Sequence, residues 1–149
     1  MTRKTISGGE RKRTAIAVEL ITDPSFIVLD EPTSGLDSFK ATGIVQVLDK
    51  LAKNHGKTII ATIHSPSSEA FRFFDQLLLM ADGHMVFQGT AQRCYKYFKK
   101  LAIPLERFKN PADSLMKRLS IRYPKQEEDV RKIDNLVDSY NEFNKPKML

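Results

Sequence analysis

The sequence has no tryptophan, one cysteine and only seven glycines in 149 residues. A lone cysteine, Cys94, cannot form an internal disulfide, which excludes a disulfide-stapled scaffold and points to a reducing compartment. No apolar run approaches the roughly 18 residues that a membrane-crossing helix needs. The longest, Phe26–Leu29 and Leu77–Ala81, are strand-sized. Met1-Thr2-Arg3-Lys4 leads into a polar glycine turn, not an apolar segment, so no signal peptide is expected there. A glycine-rich phosphate loop is also missing. Gly56-Lys57-Thr58 looks like the end of one, but position 51, where the first glycine belongs, is Leu51. That G-K-T also leaves a helix and enters a strand, the reverse of a phosphate loop.

What is present is enough for a core. Hydrophobic residues make up 41% of the chain, and 149 residues allow at most one domain or part of one. The net charge of +6 suits polyanionic ligands. The basic residues are spread from Arg11 to the tail without the aromatic interleaving of a strand-binding protein, so no nucleic acid is expected.

Ser7 with Glu10 three residues on forms a capping-box pattern, and Thr14, Ala17, Val18 and Ile21 continue at helical spacing. A helix from about Gly9 to Ile21 is predicted. Phe26–Asp30 reads as a strand buried on both faces of a parallel sheet. Asp37 or Ser38 caps a second helix with the stripe Ile44, Val47, Leu48 and Leu51, closed at Gly56. Thr58–Ile63 is β-rich. Asp82-Gly83 between two apolar runs signals a hairpin, and Thr90 caps a helix that buries Cys94, Tyr97, Phe98 and Leu101. Asn110-Pro111-Ala112-Asp113 starts another helix. Val130, Ile133, Leu136, Val137 and Tyr140 stand at helical spacing in a charged segment, which reads as a peripheral or linker helix.

Three constellations could carry chemistry. Ser7-Gly8-Gly9 at a helix N-terminus offers free N–H groups, with Arg11 and Lys12 adding positive potential; the alternative is a plain capping box. Asp30-Glu31 ends a strand, where ligands of open α/β sheets bind. One carboxylate there can serve a metal and its neighbour can polarise a water; the alternative is two solvated acids. His64 ends the next β-rich run and would lie on the same sheet edge. His55 and His84 are expected in turns.

Taken in order, these pieces resemble the second half of an ABC-transporter ATPase domain. Ile6-Ser7-Gly8-Gly9-Glu10 is similar to the family signature, with Glu10 where many members carry Gln. Phe26–Glu31 is similar to Walker B with its following glutamate, Ser34-Gly35-Leu36-Asp37 to the D-loop, and His64 to the switch histidine. The longer strings S-G-G-E-R-K-R, D-E-P-T-S-G-L-D-S, H-S-P-S-S-E and N-P-A-D resemble the G subfamily, the white-type half-transporters, although that group usually has Gln where Ser65 stands.

The resemblance implies an α/β fold, a partial P-loop NTPase domain with parallel core strands, an edge hairpin and C-terminal helices. Residues 1–120 would be the C-terminal half of the ATPase domain, and 121–149 a linker toward a membrane domain. It implies ATP and Mg²⁺ as cofactors, with Asp30 at the Mg²⁺, Glu31 at the attacking water and His64 at the γ-phosphate. Ser7, Gly8, Gly9 and Glu10 would meet a nucleotide held by a second ABC ATPase domain, in a homo- or heterodimer, and Asp37 would signal across that interface. The implied function is ATP hydrolysis driving export of lipids or amphipathic compounds, membrane-associated, with the ATPase domain on the cytoplasmic face. Without a phosphate loop the chain alone is expected to be inactive. The alternatives are a non-transport ABC ATPase acting on nucleic acid or ribosomes, and a non-catalytic dimer partner.

Overall fold

The computed structural model describes residues 6–103, 105, 109–121 and 123–144. The terminal Lys145–Leu149 segment and the start of the proline-104 region lie outside them. The chain forms two compact units, Met1–Phe73 and Phe74–Leu149.

In the first unit, Ser7 caps helix α1 (Gly8–Glu19), which tightens into a 3-10 turn over Leu20–Thr22. Strand β1 (Phe26–Leu29) follows, then α2 (Ser38–His55), β2 (Thr58–Ala61) and the short α3 (Ser68–Phe71). Gly56 ends α2 in the left-handed conformation, φ 64°, that glycine adopts without a Cβ penalty. β1 and β2 pair in parallel, with Ile27 opposite Ile59 and Leu29 opposite Ala61. The core joins Ile16 of α1 to Ile44 and Leu48 of α2, with Leu29, Leu36, Leu51 and Ile59 packed on it. Ile44 is wholly buried, which is worth roughly 1.5–3 kcal/mol.

β1 was expected to be buried on both faces, and it is buried on one. Ile27 is 5% exposed, whereas Phe26, Val28 and the neighbouring Ile60 are 55%, 67% and 50% exposed. The cause is period-two alternation: Leu29 and Ile59 join the α1–α2 core, and Phe26, Val28 and Ile60 turn the other way.

In the second unit, β3 (Leu77–Ala81) and β4 (His84–Gly89) form an antiparallel hairpin. Asp82 and Gly83 both have positive φ, 51° and 79°, as a type I′ turn requires. Among the described residues the strands pair as β1 with β2 and β3 with β4. Thr90 caps α4 (Ala91–Lys100), Asn110 caps α5 (Pro111–Leu119), and α6 spans Glu127–Asn144.

The segment read as a peripheral or linker helix packs within this unit. Ile133, Leu136 and Tyr140 of α6 are buried, and the buried Tyr97 hydroxyl donates to the Leu136 carbonyl at 2.8 Å. Phe87 stacks on Tyr97 with centroids 5.4 Å apart, and Lys125 pairs with Asp82 of the hairpin turn.

Candidate functional site

The parallel register brings the carboxyl ends of β1 and β2 to one edge. The Thr62 N–H donates to the Leu29 carbonyl at 3.0 Å, continuing the ladder one step past the strands. The Thr62 hydroxyl donates to Asp30 Oδ1 at 2.6 Å and accepts the Glu31 N–H at 2.8 Å. Lys12 Nζ donates to the Glu31 carbonyl at 3.2 Å. Asp30, Glu31 and His64 are all exposed.

Glu31 does not continue the extended backbone of β1. Its φ is +43°, left-handed and unusual for a residue with a side chain. The buried Pro32 follows, and the Ser34 N–H bonds back to the Glu31 carbonyl at 3.0 Å, so the chain turns sharply there. Left-handed non-glycine residues of this kind cluster at functional sites.

At the start of α1 the capping box is complete. Glu10 N–H donates to Ser7 Oγ at 3.3 Å, and Ser7 N–H donates to the Glu10 carboxylate at 2.7 Å. The Ser7 backbone bond, then its side-chain bond, holds the Glu10 carboxyl below its ordinary pKa. The Ser7 oxygen accepts in this bond, which leaves its hydroxyl hydrogen able to donate elsewhere. Gly8 and Gly9 occupy the first two helical positions, where backbone N–H groups lack intrahelical acceptors.

Asp37 is the N-cap of α2. It accepts the Lys40 N–H at 2.9 Å and pairs with Lys40 Nζ at 2.7 Å, and the Lys40 side chain, ahead of its backbone N–H, holds the Asp37 carboxyl below its ordinary pKa. Between this turn and the segment after β2 lies an open pocket of about 80 Å³, lined by Thr33, Leu36, Ser38, His64, Ser65 and Ser67 among others. Two of its lining residues are tied together by the buried Thr42, whose hydroxyl donates to Ser38 O at 2.8 Å and meets Ser67 Oγ at 3.0 Å. Ser65, directly after His64, is also left-handed at φ +43°.

No group of three or more His, Cys, Asp and Glu gathers as a metal cage among the described residues. Mg²⁺ is commonly held through one or two carboxylates together with phosphates and waters. Asp30, exposed and with one oxygen fixed by Thr62, is suited to that role. Lys57 of the false phosphate loop is committed elsewhere: its Nζ bonds the Asp23 carboxylate at 2.6 Å and the Asp23 carbonyl at 3.2 Å. Cys94 is buried, which pushes its thiol pKa up to about 12 and makes it unreactive. His55 lies in the last turn of α2 and His84 opens β4, both exposed. Thr62 went unnoticed in the sequence. Its one signal is its place in the register, one step beyond the Leu29–Ala61 pair and hence opposite Asp30.

The chain is similar to known proteins in sequence and fold. A family model described as ABC transporter matches residues 1–34, and one described as ABC-2 type transporter matches residues 64–137. Protein white of Drosophila melanogaster is 45% identical over 137 residues, 92% of this chain and 20% of its own. ABC transporter G family member 26 of Arabidopsis thaliana is 52% identical over 113 residues, 76% of this chain and 16% of its own. The broad substrate specificity ATP-binding cassette transporter ABCG2 of Mus musculus is 51% identical over 108 residues, 72% of this chain and 16% of its own. The chain thus spans a fifth or less of the length of these relatives. Among solved structures, the ADP conformation of an ATP-binding cassette of an ABC transporter aligns at 30% identity and a TM-score of 0.54, over 59% of this chain and 34% of that one. The ordered motifs, the α/β fold with its parallel strand pair and these relatives together establish that the chain belongs to the ABC transporters, in their G subfamily.

Proposed function

We propose that the chain supplies the carboxyl-terminal half of an ATP-hydrolysing domain that powers export across a membrane. The observation that carries this is the shared strand edge, where Asp30, Glu31 and the His64 segment meet at the carboxyl ends of a parallel pair. In this proposal Asp30 orients Mg²⁺, Glu31 accepts a hydrogen bond from the attacking water, and His64 donates to the γ-phosphate. Mg²⁺ held at Asp30 would supply neutralisation of the charge that develops on the transferring phosphoryl oxygens. Ser7, Gly8 and Gly9 present N–H and O–H donors to a nucleotide bound by a second ATPase domain, while Glu10 holds the turn in shape. Asp37, capping α2 beside the His64 pocket, relays the partner's position. In this proposal residues 121–149 lead toward a membrane domain, and the ATPase half lies on its cytoplasmic face. No helix among the described residues is long and apolar enough to cross a membrane, so the proposal takes its spans from that separate domain. Lipids or other amphipathic compounds are the proposed cargo; among the relatives, ABCG2 is named for its broad substrate specificity.

The test is Glu31→Gln in a complete ATPase domain containing this segment. Nucleotide binding is expected to persist while hydrolysis stalls; undiminished turnover would refute the assignment of Glu31. The phosphate cradle is absent from these 149 residues, so calorimetry on this chain alone is expected to show no micromolar Mg-ATP binding.

A further inference from the structure

We propose that Thr62 is a positioning residue for the two acids and that, with Lys12, it clasps the Glu31 peptide in its left-handed conformation. The inference rests on the assignment of Asp30 and Glu31 made above, but its structural half stands on geometry alone.

Three contacts carry it. The Thr62 hydroxyl is used twice, donating to Asp30 Oδ1 at 2.6 Å and accepting the Glu31 N–H at 2.8 Å. On the following peptide unit, the Glu31 carbonyl receives Lys12 Nζ at 3.2 Å, so the two contacts flank the Glu31 Cα. Thr62 is itself held by its N–H bond to Leu29 O at 3.0 Å, so the hydroxyl is delivered by the ladder and not by a mobile loop.

The clasp has work to do. A side-chain-bearing residue at φ +43° is strained and keeps that shape only where its surroundings over-determine it. One hydroxyl sets the orientation of the Asp30 carboxylate and, through the backbone, the direction of the Glu31 side chain. A one-donor, one-acceptor hydroxyl meets both demands, and serine offers the same atoms; valine has threonine's shape and neither function. Lys12 sits on α1, the helix whose N-terminus is proposed to meet the partner's nucleotide, so a shift of α1 is felt directly at the Glu31 carbonyl.

The test has two readouts. In the 149-residue chain, amide hydrogen exchange at Glu31 is measured by NMR for Thr62→Val, Thr62→Ser and Lys12→Met. Thr62→Val is expected to speed Glu31 exchange about tenfold, the size of one lost hydrogen bond, while Thr62→Ser stays within about twofold of the parent. Lys12→Met, a change on the partly exposed face of α1, is expected to speed it several-fold and serves as the deciding variant if Thr62→Val does not fold. In a complete ATPase domain, Thr62→Val is expected to lower kcat about 10²-fold with KM for ATP little changed, and Thr62→Ser to restore it.

Parent-like Glu31 exchange in Thr62→Val, or in Lys12→Met where that variant decides, overturns the clasp. Equal losses in Thr62→Ser and Thr62→Val overturn the role of the hydroxyl. If Glu31→Gln leaves turnover intact, the catalytic assignment fails instead, and the exchange data still decide whether the clasp exists.

Discussion

Gly9→Ala separates what the fold asks of the α1 N-terminus from what a partner asks of it. Gly9 is the second residue of a regular helix, and its φ is not in the left-handed region. A Cβ built there would meet Arg13 Nη1 at 3.5 Å and Lys40 Cδ at 3.6 Å, ordinary contacts with the ends of flexible side chains. Alanine is up to about 1 kcal/mol better than glycine in a helix interior, and less in the first turn. The variant is therefore expected to be between neutral and about 1 kcal/mol more stable, measured by urea denaturation of the chain. Gly8→Ala is the tighter neighbour, since its Cβ would lie 3.3 Å from Leu36 Cδ2 and that side chain must give slightly. If the glycine pair exists to let a phosphate held by a second domain approach the backbone, a methyl group at position 9 holds it off by about 1 Å. Displacement on that scale costs about 10²-fold in rate. The expected result is a folded, undiminished or stabilised chain whose complete dimeric domain turns over ATP about 10²-fold slower. A destabilisation beyond about 1 kcal/mol would refute the contact argument. Parent-like turnover would refute the role of Gly9 at the partner's nucleotide.

Tyr97→Phe keeps the buried ring against Phe87 and removes only the hydroxyl bond to Leu136. It should cost about 1 kcal/mol in the second unit, followed by near-ultraviolet circular dichroism, whereas Tyr97→Ala should cost about 3–5 kcal/mol; equal losses would contradict this. Burial, ahead of the nearby Cys94 and Tyr140, pushes the Tyr97 phenol up to about 12. A raised phenol pKa favours the neutral form in the folded state, so this stabilisation is complete below pH about 10 and is lost as pH rises through about 12. Tyr97→Phe should flatten that alkaline loss, leaving the share due to Cys94, whose thiol titrates in the same range; an unchanged pH profile would count against the assignment. Val28→Thr and Ile60→Thr lie on the exposed sheet face and should change stability by no more than about 0.5 kcal/mol while raising the soluble fraction in a centrifugation assay. A large loss of stability would mean that this face is covered.

Local chemistry made much of this protein legible without a structure. The capping box at Ser7–Glu10, the Asp37 cap, the Gly56 helix end and the Asp82-Gly83 turn depend on residues within a few positions of one another, and each stands as the sequence indicated. The order and spacing of the motifs likewise identified the family, since a string such as D-E-P-T-S-G-L-D-S is informative in one dimension. Burial was another matter. Whether Val28 is a core or a surface residue depends on what packs against each face of β1, and periodicity within F-I-V-L cannot state that. The folding of α6 onto Tyr97 depends in the same way on contacts between distant segments. So does the link from Thr62 to Asp30 and Glu31, more than thirty residues away: hydrogen bonds across a sheet follow from strand register, and register is a property of two segments, which only the tertiary structure brings together.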